Sequence, residues 1–328
     1  MHNFSEILPD IIDIIPTTGP LPYSMTNDYV FRAVLQMNNK VLKGLICSLL
    51  HLNPEEVISV TITNPIELGK AIDTKSFFLD IKVILNNHTL INLEMQVGQL
   101  SYWPERSLSY LCRSFDNLNK GQDYSSVSPA IHIGFLDFTL FPENPEFYAT
   151  YKFINVKNYS VYSDKLMLSV VDLTKIHMAT EEDKNYKIDY WAVLFKATTW
   201  EEIQMIAKES TCFKEASRTL YEIMQDENVR LQCEARAEYE RTERKLEKLK
   251  AMERKIVALE TTIGDLNSAN EKLTTSNREL ESSNRELKSS NQELKSSNRE
   301  LESSNSVKDN TIEKLEAQIR ELKKLVEG

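Results

Sequence analysis

The chain is poor in glycine and lacks the glycine-containing signatures of several enzyme classes. Only 8 of its 328 residues are glycine, and no G-x-S-x-G, Walker A or G-x-G-x-x-G pattern occurs. These patterns form the nucleophile elbow of serine hydrolases, the phosphate loop of P-loop NTPases and the dinucleotide-binding turn. None of these three kinds of enzyme is therefore predicted.

Cysteine and histidine are also scarce. The 4 cysteines form no C-x-x-C pair, and the 5 histidines form no H-x-x-H or H-E-x-x-H motif. Zinc sites need closely spaced ligands of these types, and disulfide frameworks need paired cysteines in an oxidising compartment. Neither a zinc site nor a disulfide is predicted.

Long apolar runs are missing. No stretch approaches the roughly 18 apolar residues that a membrane span requires, and the first residues, MHNFSEILPDIIDIIP, are acidic where a signal peptide would be basic. We expect a cytoplasmic protein without a membrane partner.

Basic residues are not in excess either. The formal net charge is −10, and residues 1–180 hold 13 Lys and Arg against 18 Asp and Glu. DNA-binding proteins commonly attract phosphates through a broad basic field. If this chain binds DNA, it must do so through a local basic patch and a bound metal.

What the sequence does contain is a β-hairpin pattern at residues 76–97. Two arms rich in aromatic and β-branched residues flank Asn86-Asn87-His88, which are turn residues that tolerate left-handed backbone. A three-residue loop places Asp80 directly opposite Glu94, whereas a two-residue loop would put them on opposite faces. The three-residue loop is favoured because it makes the other face almost wholly apolar. That face comprises Phe77, Leu79, Ile81, Val83, Leu85, Thr89, Ile91, Leu93, Met95 and Val97.

The polar face of this hairpin is a candidate metal site. It carries Asp80, Lys82, Asn92, Glu94 and Gln96. Two carboxylates held on neighbouring strands repel each other unless they share a proton or a cation, and Mg²⁺ or Mn²⁺ prefers such oxygen ligands. We therefore predict that Asp80 and Glu94 bind the metal.

The other polar residues of this face have predicted roles as well. Gln96 could orient a water or a phosphate oxygen, although an amide provides neither a cation nor a proton acceptor. Lys82 or Lys75 could supply the positive charge. The alternative is a paired, solvated sheet face on which Lys82 is the counter-ion.

Helices are predicted before and after the hairpin. Asn27 can cap a helix that starts near Asp28, and Asp28 is either a functional acid or a carboxylate that compensates the helix dipole. A helix over about 104–118 places Arg106, Tyr110 and Arg113 on one stripe, which could contact DNA phosphates or be a solvated face. A helix over 39–52 and strands over 57–63, 130–138, 147–156 and 166–173 complete an α/β domain.

The C-terminal residues follow a heptad repeat. Position a holds Leu249, Ile256 and Ile263, then six asparagines from Asn270 to Asn305, then three aliphatic residues, and leucine dominates position d. Asn at a with Leu at d favours a parallel two-stranded coiled coil, so residues 249–326 predict a homodimer. The near-identical SSNRELE and SSNRELK units suggest tandem duplication, and a partly frayed Ser-rich spacer is the alternative. The predicted organisation is an arm at 1–22, an α/β domain at 23–178, a helical extension at 179–245 and the coiled coil at 246–328.

Five motifs in series resemble one known family. They are TNDYVFR at 26–32, LDIKV with NLEMQ within 79–96, ERSLSYL at 105–111, KGQDY at 120–124 and PAIHIGFLDFTLF at 129–141. In this order they are similar to the PD-(D/E)XK nuclease-like transposase family, which includes the recombination-promoting nucleases. The resemblance covers roughly residues 20–200.

The resemblance implies a restriction-endonuclease-like αβββαβ core and divalent-metal-dependent DNA cleavage. The implied active site comprises Asp80, Glu94 and Gln96, with Asp28 as an acid on a helix, and Gln96 stands where the wider superfamily has lysine. The hypothesis is a DNA endonuclease associated with recombination or transposition. Two alternatives remain open: a catalytically inactive DNA-binding module, and a scaffold whose function lies in its heptads.

Overall fold

The computed structural model describes residues 15–66, 68, 80–100 and 102–326. The chain divides into two units, Met1–Leu246 and Glu247–Gly328. The elements of the first unit, in chain order, are α1 (Asp28–Met37), α2 (Asn39–Leu49), β1 (Val60–Ile62), β2 (Ile81–Leu85), β3 (Thr89–Gln96), α3 (Trp103–Phe115), β4 (Ala130–Leu136), β5 (Tyr148–Ile154), β6 (Val161–Asp172), α4 (Glu181–Asn185), α5 (Ile188–Lys196), α6 (Trp200–Ala207), α7 (Thr211–Gln225) and the start of α8 (Glu227–Val326).

The strands form a six-stranded mixed sheet in the order β1-β2-β3-β4-β6-β5. Three of the four inner strands, β3, β4 and β6, run parallel, and β2 and the edge strands β1 and β5 join antiparallel. The αβββαβ order of the first elements agrees with the predicted mixed α/β core. Element ends differ by a few residues, as at α2, which ends at Leu49, and at β6, which begins at Val161.

The predicted hairpin register is confirmed. Ile81 pairs with Leu93 and Leu85 with Thr89, which leaves a three-residue loop. Asn86 and Asn87 lie in the left-handed region, with φ of 51° and 57°. Asparagine adopts this conformation more readily than other non-glycine residues, so the turn sequence and the strand parity specify the same register.

One face of the sheet packs on α1, α2 and α5, and α6 and α7 pack on these helices and extend the same main core. Of the ten hairpin residues predicted for this face, six are buried there and Thr89 and Val97 are half-buried, while Phe77 and Leu79 lie outside the described residues. The buried hairpin positions are Ile81, Val83, Leu85, Ile91, Leu93 and Met95.

The opposite face of the sheet is covered by α3. Trp103, at the start of α3, is fully buried against β4 and β6. A Cβ added at Gly134 would lie 2.3 Å from Cζ2 of Trp103, so only glycine lets the indole approach the strand this closely. Residues Asn92, Glu94, His132 and Gly134 share this face because their strands pair in register.

The N-terminal arm and the first turns of α8 both contact the helices of this core. In the predicted arm, the described residues pack on the helices: Ile15 is buried, and Leu21 N–H donates to the carbonyl of Thr198 at 2.8 Å. At the other end, Asn27 caps α1 and its amide donates to the carbonyl of Cys233, in the first turns of α8. No helix among the described residues is long and apolar enough to cross a membrane.

In the second unit, α8 continues to Val326. The apolar a and d side chains of its heptads are 53–62% exposed, so the chain itself does not bury this seam. They are Leu249, Met252, Ile256, Leu259, Ile263, Leu266, Leu273, Leu280, Leu287, Leu294, Leu301, Ile312, Leu315, Ile319 and Leu322.

Candidate active site

Two buried carboxylates lie on adjacent strands under α3. Asp80 directly precedes β2 and is 9% exposed, and Glu94 lies within β3 and is 4% exposed. The last pair of the hairpin ladder, Ile81 with Leu93, lies one residue from each of them. Burial raises the pKa of Asp80, and the negative charge of Glu94 raises it further. The negative charge of Glu94 therefore makes Asp80 harder to ionise, which is a condition under which a bound cation would favour the charged form.

Glu94 is held by two basic side chains. Arg106 of α3 places a terminal guanidinium nitrogen 2.9 Å from Oε1, and His132 of β4 places Nε2 3.4 Å from Oε2. His132 is fully buried. Both groups also act to lower the pKa of Asp80. Arg106 thus supplies a positive charge at this site, and His132 lies beside the same carboxylate.

His132 was not predicted from the sequence as a site residue. Its Nδ1 lies 3.0 Å from Nδ2 of Asn92, and its ring centroid is 5.9 Å from that of Trp103 and 6.1 Å from that of Tyr110. Every residue of β4 is buried, because both faces of that strand are covered. Burial on both faces removes the alternation that would have shown to which side His132 points.

Arg32 is a second residue that the sequence did not reveal. It is 1% exposed, and its guanidinium donates to the carbonyl of Asp80 at 2.6 Å and to the carbonyl of Asn64. Asn64 Nδ2 donates to the same Asp80 carbonyl at 2.9 Å. These bonds fix the backbone from which the Asp80 carboxylate projects. The sequence signal that could have identified Arg32 is its charge in an otherwise apolar stretch of α1, one turn after Asp28.

Asp28 lies in the first turn of α1, and its observed partner is Arg236. Arg236 Nε donates to both carboxylate oxygens at 2.7 and 2.8 Å. Burial raises the pKa of Asp28, and Arg236 opposes that rise. Among the contacts of the described residues, none joins Asp28 to Asp80 or Glu94, so its catalytic role stays a prediction.

The remaining predicted site residues are less closely joined to the carboxylates. Gln96 is half-buried, and its amide donates to the carbonyl of Gly98 at 2.9 Å. Lys82 is exposed, and no ion pair joins it to Asp80 or Glu94 in the described part of the chain. Its role as a source of positive charge therefore stays a prediction. Lys75 lies outside the described residues.

The predicted phosphate-binding stripe does lie on α3. Arg106 stacks over the ring of Tyr110, with its guanidinium carbon 5.4 Å from the ring centroid, and Arg113 is exposed near the helix end. Of the three residues, Arg106 is the one paired with Glu94. This stripe is therefore adjacent to the carboxylates, and contact with phosphates stays a prediction.

The donor set fits a hard divalent cation better than zinc. Within the described residues, neither oxygen of Glu94 accepts a hydrogen bond of normal geometry, although both are buried. Those residues also contain no group of three or more His, Cys, Asp or Glu side chains arranged for a metal. Mg²⁺ commonly binds through one or two carboxylates and completes its shell with water and phosphate oxygens. Asp80 and Glu94 meet that requirement.

Comparison with protein-family models finds a match over most of the chain. A family model described as PD-(D/E)XK nuclease family transposase matches residues 25–248. No curated protein and no solved structure matches the chain. The matched region extends from the cap of α1 through the sheet to the turns of α8 that carry Arg236. It therefore includes Asp80 and Glu94 as well as the ion pair of Asp28 with Arg236.

Proposed function

We propose, from the premise that the chain belongs to the PD-(D/E)XK nuclease family of transposases, that it is a divalent-metal-dependent DNA endonuclease. Asp80 and Glu94 would hold Mg²⁺ or Mn²⁺ beside the scissile phosphate. The observation that carries this proposal is the pair of buried carboxylates on adjacent strands, with the pKa of Asp80 raised by burial and by Glu94. A role in recombination or transposition is inferred from the family alone.

Phosphodiester hydrolysis requires an activated water and stabilisation of the negative charge that grows on the phosphate. The bound metal supplies both when present. In this chain, Arg32 and Asn64 fix the backbone at Asp80, and His132 orients Glu94. Arg106 lies at the same carboxylate on an exposed helix, where a phosphate could compete with Glu94 for its guanidinium. Gln96 would orient water or a phosphate oxygen.

A plasmid-nicking assay with Mg²⁺ tests the proposal. Asp80→Asn and Glu94→Gln keep the shape of each side chain but remove its charge, and we expect each to lower nicking roughly 100-fold or more, as for other preorganised electrostatic contacts. Glu55→Gln, which neutralises an exposed acid, is the matched control. Equal nicking by all four proteins would refute the nuclease.

Metal binding can be measured separately from cleavage. A ligand that binds only the folded state raises its stability, so Mn²⁺ should raise the Tm of the parent protein. The increase should be absent from Asp80→Asn and Glu94→Gln. The same increase in all variants would place the ion elsewhere.

The second candidate is a DNA-binding module that retains the fold without catalysis. Gln96 favours it, because glutamine stands at the position where the wider superfamily has lysine and its amide is bound to Gly98. An amide cannot stabilise a developing negative charge as an ammonium does. DNA binding by the parent without nicking in Mg²⁺ or Mn²⁺ would favour this candidate.

We also propose that the chain is a parallel homodimer through residues 249–326. The apolar heptad side chains are more than half exposed in the single chain, and an isolated helix with such a seam gains stability by pairing with a second copy. A scaffold whose partner binds this same seam is the alternative. It would show partner binding that depends on the heptads and no cleavage by any form of the protein.

A further inference from the structure

The antiparallel pair β5–β6, here called the outer hairpin (residues 148–166), exposes an unusual set of aromatic side chains. Tyr151 is 41% exposed, Phe153 50%, Tyr159 74% and Tyr162 89%. Aromatic side chains bury large apolar surface when they are covered. This cluster is left uncovered by every described element of the chain, so it is a candidate contact surface.

One of these aromatic residues, Tyr159, lies in the turn at the tip of the outer hairpin. Asn155 N–H donates to the carbonyl of Ser160, and Tyr159 N–H donates to the carbonyl of Asn155, each at 2.8 Å. Tyr159 has φ of 59°, in the left-handed region that bulky residues seldom occupy. A hydrogen-bonded turn thus keeps Tyr159 in an unfavourable backbone conformation. Such strained residues are common at functional sites.

The outer hairpin is locally basic in an acidic chain. Between residues 148 and 166 lie Lys152, Lys157 and Lys165 and only one acid, Asp164, whereas the chain has a net charge of −10. Lys152 and Lys157 are exposed. Lysines between exposed aromatic rings are the combination by which proteins bind single-stranded nucleic acid, with cations on the phosphates and rings on the bases.

An apolar groove connects this surface with the helix that covers the active site. Its cavity volume is about 260 Å³, and Leu108 of α3 and Phe153 of the outer hairpin are among its lining residues. Trp103 also lines the groove, and its ring centroid lies 5.9 Å from that of His132. The groove and the carboxylate site are therefore separated by one buried indole.

We propose that the outer hairpin and this groove bind unpaired nucleotides of the DNA substrate, with Tyr159 and Tyr162 stacking on bases. The identity of the ligand as DNA rests on the proposed nuclease function. Bases in a duplex are already stacked on one another and offer no free face, whereas unpaired bases do. The substrate class that follows is DNA with a single-stranded segment, such as an end, a fork or a bubble.

A second copy of the chain is the other occupant to consider, because β5 is an edge strand of the described sheet. Two features oppose strand addition there. Lys152 lies within β5, and the pairing of β5 with β6 is irregular on both sides of Phe153. Edge lysines and bulges are devices that prevent edge-to-edge pairing, so the charge and shape of this edge favour a nucleic-acid ligand.

The test is binding of a fluorescent oligo(dT) of about 20 nucleotides to the full chain in EDTA, followed by anisotropy. The double variant Tyr159→Ser/Tyr162→Ser should bind roughly 5- to 150-fold more weakly per lost stack. Tyr159→Phe/Tyr162→Phe keeps the rings and should bind within about twofold of the parent. Ile58→Ser, which removes an 86% exposed apolar side chain beside β1, is the matched control. A blunt duplex of equal length should bind more weakly than the oligo(dT) and discriminate little between the variants.

Stacking also has a spectroscopic signature. The 3 native tryptophans are buried, so Tyr162→Trp introduces an exposed reporter whose fluorescence oligo(dT) should quench. Unchanged affinity of the serine variant for oligo(dT), or an unquenched tryptophan reporter, would overturn the proposal. A lower molecular mass of the serine variant than of the parent in light scattering would also overturn it, because that result would assign the outer hairpin to self-association.

Because binding is measured without a divalent ion, the two proposals fail separately. Binding of oligo(dT) through the outer hairpin without any DNA cleavage would refute only the proposed nuclease function. DNA cleavage together with normal oligo(dT) binding by the serine variant would refute only the proposed binding role of the outer hairpin.

Discussion

At the scale of single residues, Asp28 and Arg236 form a largely buried ion pair. The two side chains are 8% and 13% exposed, and Arg236 donates to both carboxylate oxygens. A buried pair adds modest net stability, but removal of one partner leaves a desolvated charge. The position of Asp28 next to a helix start thus has a structural explanation whether or not it takes part in catalysis.

Replacement of Arg236 by methionine should therefore destabilise the protein by roughly 3–5 kcal/mol, the usual cost of an uncompensated buried charge. Urea unfolding measures the loss. Arg241→Met, which breaks an ion pair with Glu238 that is 60% and 63% exposed, should change stability by less than about 1 kcal/mol. Adding Asp28→Asn to Arg236→Met should restore part of the loss. A single-variant loss no larger than that of Arg241→Met would contradict this account.

Glu240, one turn after Arg236 in α8, makes stability depend on pH. Burial, followed by the charge of Asp28, raises the pKa of Glu240 from 4.5 to about 7, while Arg236 and Arg244 oppose the rise. Between these pH values the folded state binds more protons than the unfolded state. The free energy of unfolding should therefore fall as pH rises from about 4.5 to about 7.

Glu240→Gln should remove most of that slope and should stabilise the protein at pH 8 relative to the parent. The gain is at most about 3 kcal/mol, since one pKa unit corresponds to about 1.4 kcal/mol. Urea unfolding at several pH values between 5 and 8 measures it. Glu243→Gln, at an exposed position of the same helix, should leave the parent's profile unchanged. A profile of Glu240→Gln parallel to that of the parent would be inconsistent with a titrating Glu240.

At the scale of secondary-structure elements, the position of α3 depends on one glycine. Gly134 faces Glu94 across the β3–β4 pairing, and the indole of Trp103 occupies the space where a side chain would begin. Because Trp103 starts the helix that carries Arg106, a displaced indole would move Arg106 away from Glu94.

Gly134→Ala should destabilise the protein by roughly 1–3 kcal/mol, as overpacking does in well-filled cores, and should alter the fluorescence of Trp103. Gly264→Ala is the matched control, because nothing lies within 4 Å of the added Cβ in that helix; alanine there should stabilise the helix by up to about 1 kcal/mol. Thermal unfolding compares the two variants. Equal stability of Gly134→Ala and the parent would mean that the indole moves aside at no cost.

The hairpin was predictable from sequence because two independent signals agree. The parity of its apolar positions and the Asn86-Asn87 turn each specify the pairing of Ile81 with Leu93, next to Asp80 and Glu94. By contrast, the groups that contact these two residues come from α1, α3 and β4, outside the hairpin. Arg236 is separated from Asp28 by 208 residues. Such contacts arise from the packing of elements, which local periodicity does not encode.

At the scale of the whole molecule, the seam of α8 predicts the oligomeric state. The parent protein should have twice the chain mass of 37.9 kDa in light scattering. Leu259→Asp/Leu315→Asp places a charge at d in both apolar ends of the heptads and should give the monomer, since buried unpaired charges oppose pairing.

The matched control for this prediction lies on the same helix. Val257→Asp/Val307→Asp changes two side chains that are 61% and 63% exposed but occupy heptad positions b and c, away from the seam. This control should remain dimeric. A monomeric parent, or equal loss of dimer in both double variants, would contradict a heptad-based homodimer.

The near-identical SSNRELE and SSNRELK units within α8 are each seven residues long, as is the heptad. Gain or loss of one unit by slippage during DNA replication keeps both the reading frame and the phase of the leucines. Each such event would change the helix length by about 10 Å without disturbing the sequence on either side. The number of units is thus free to drift between generations, and related chains should differ here in whole multiples of seven.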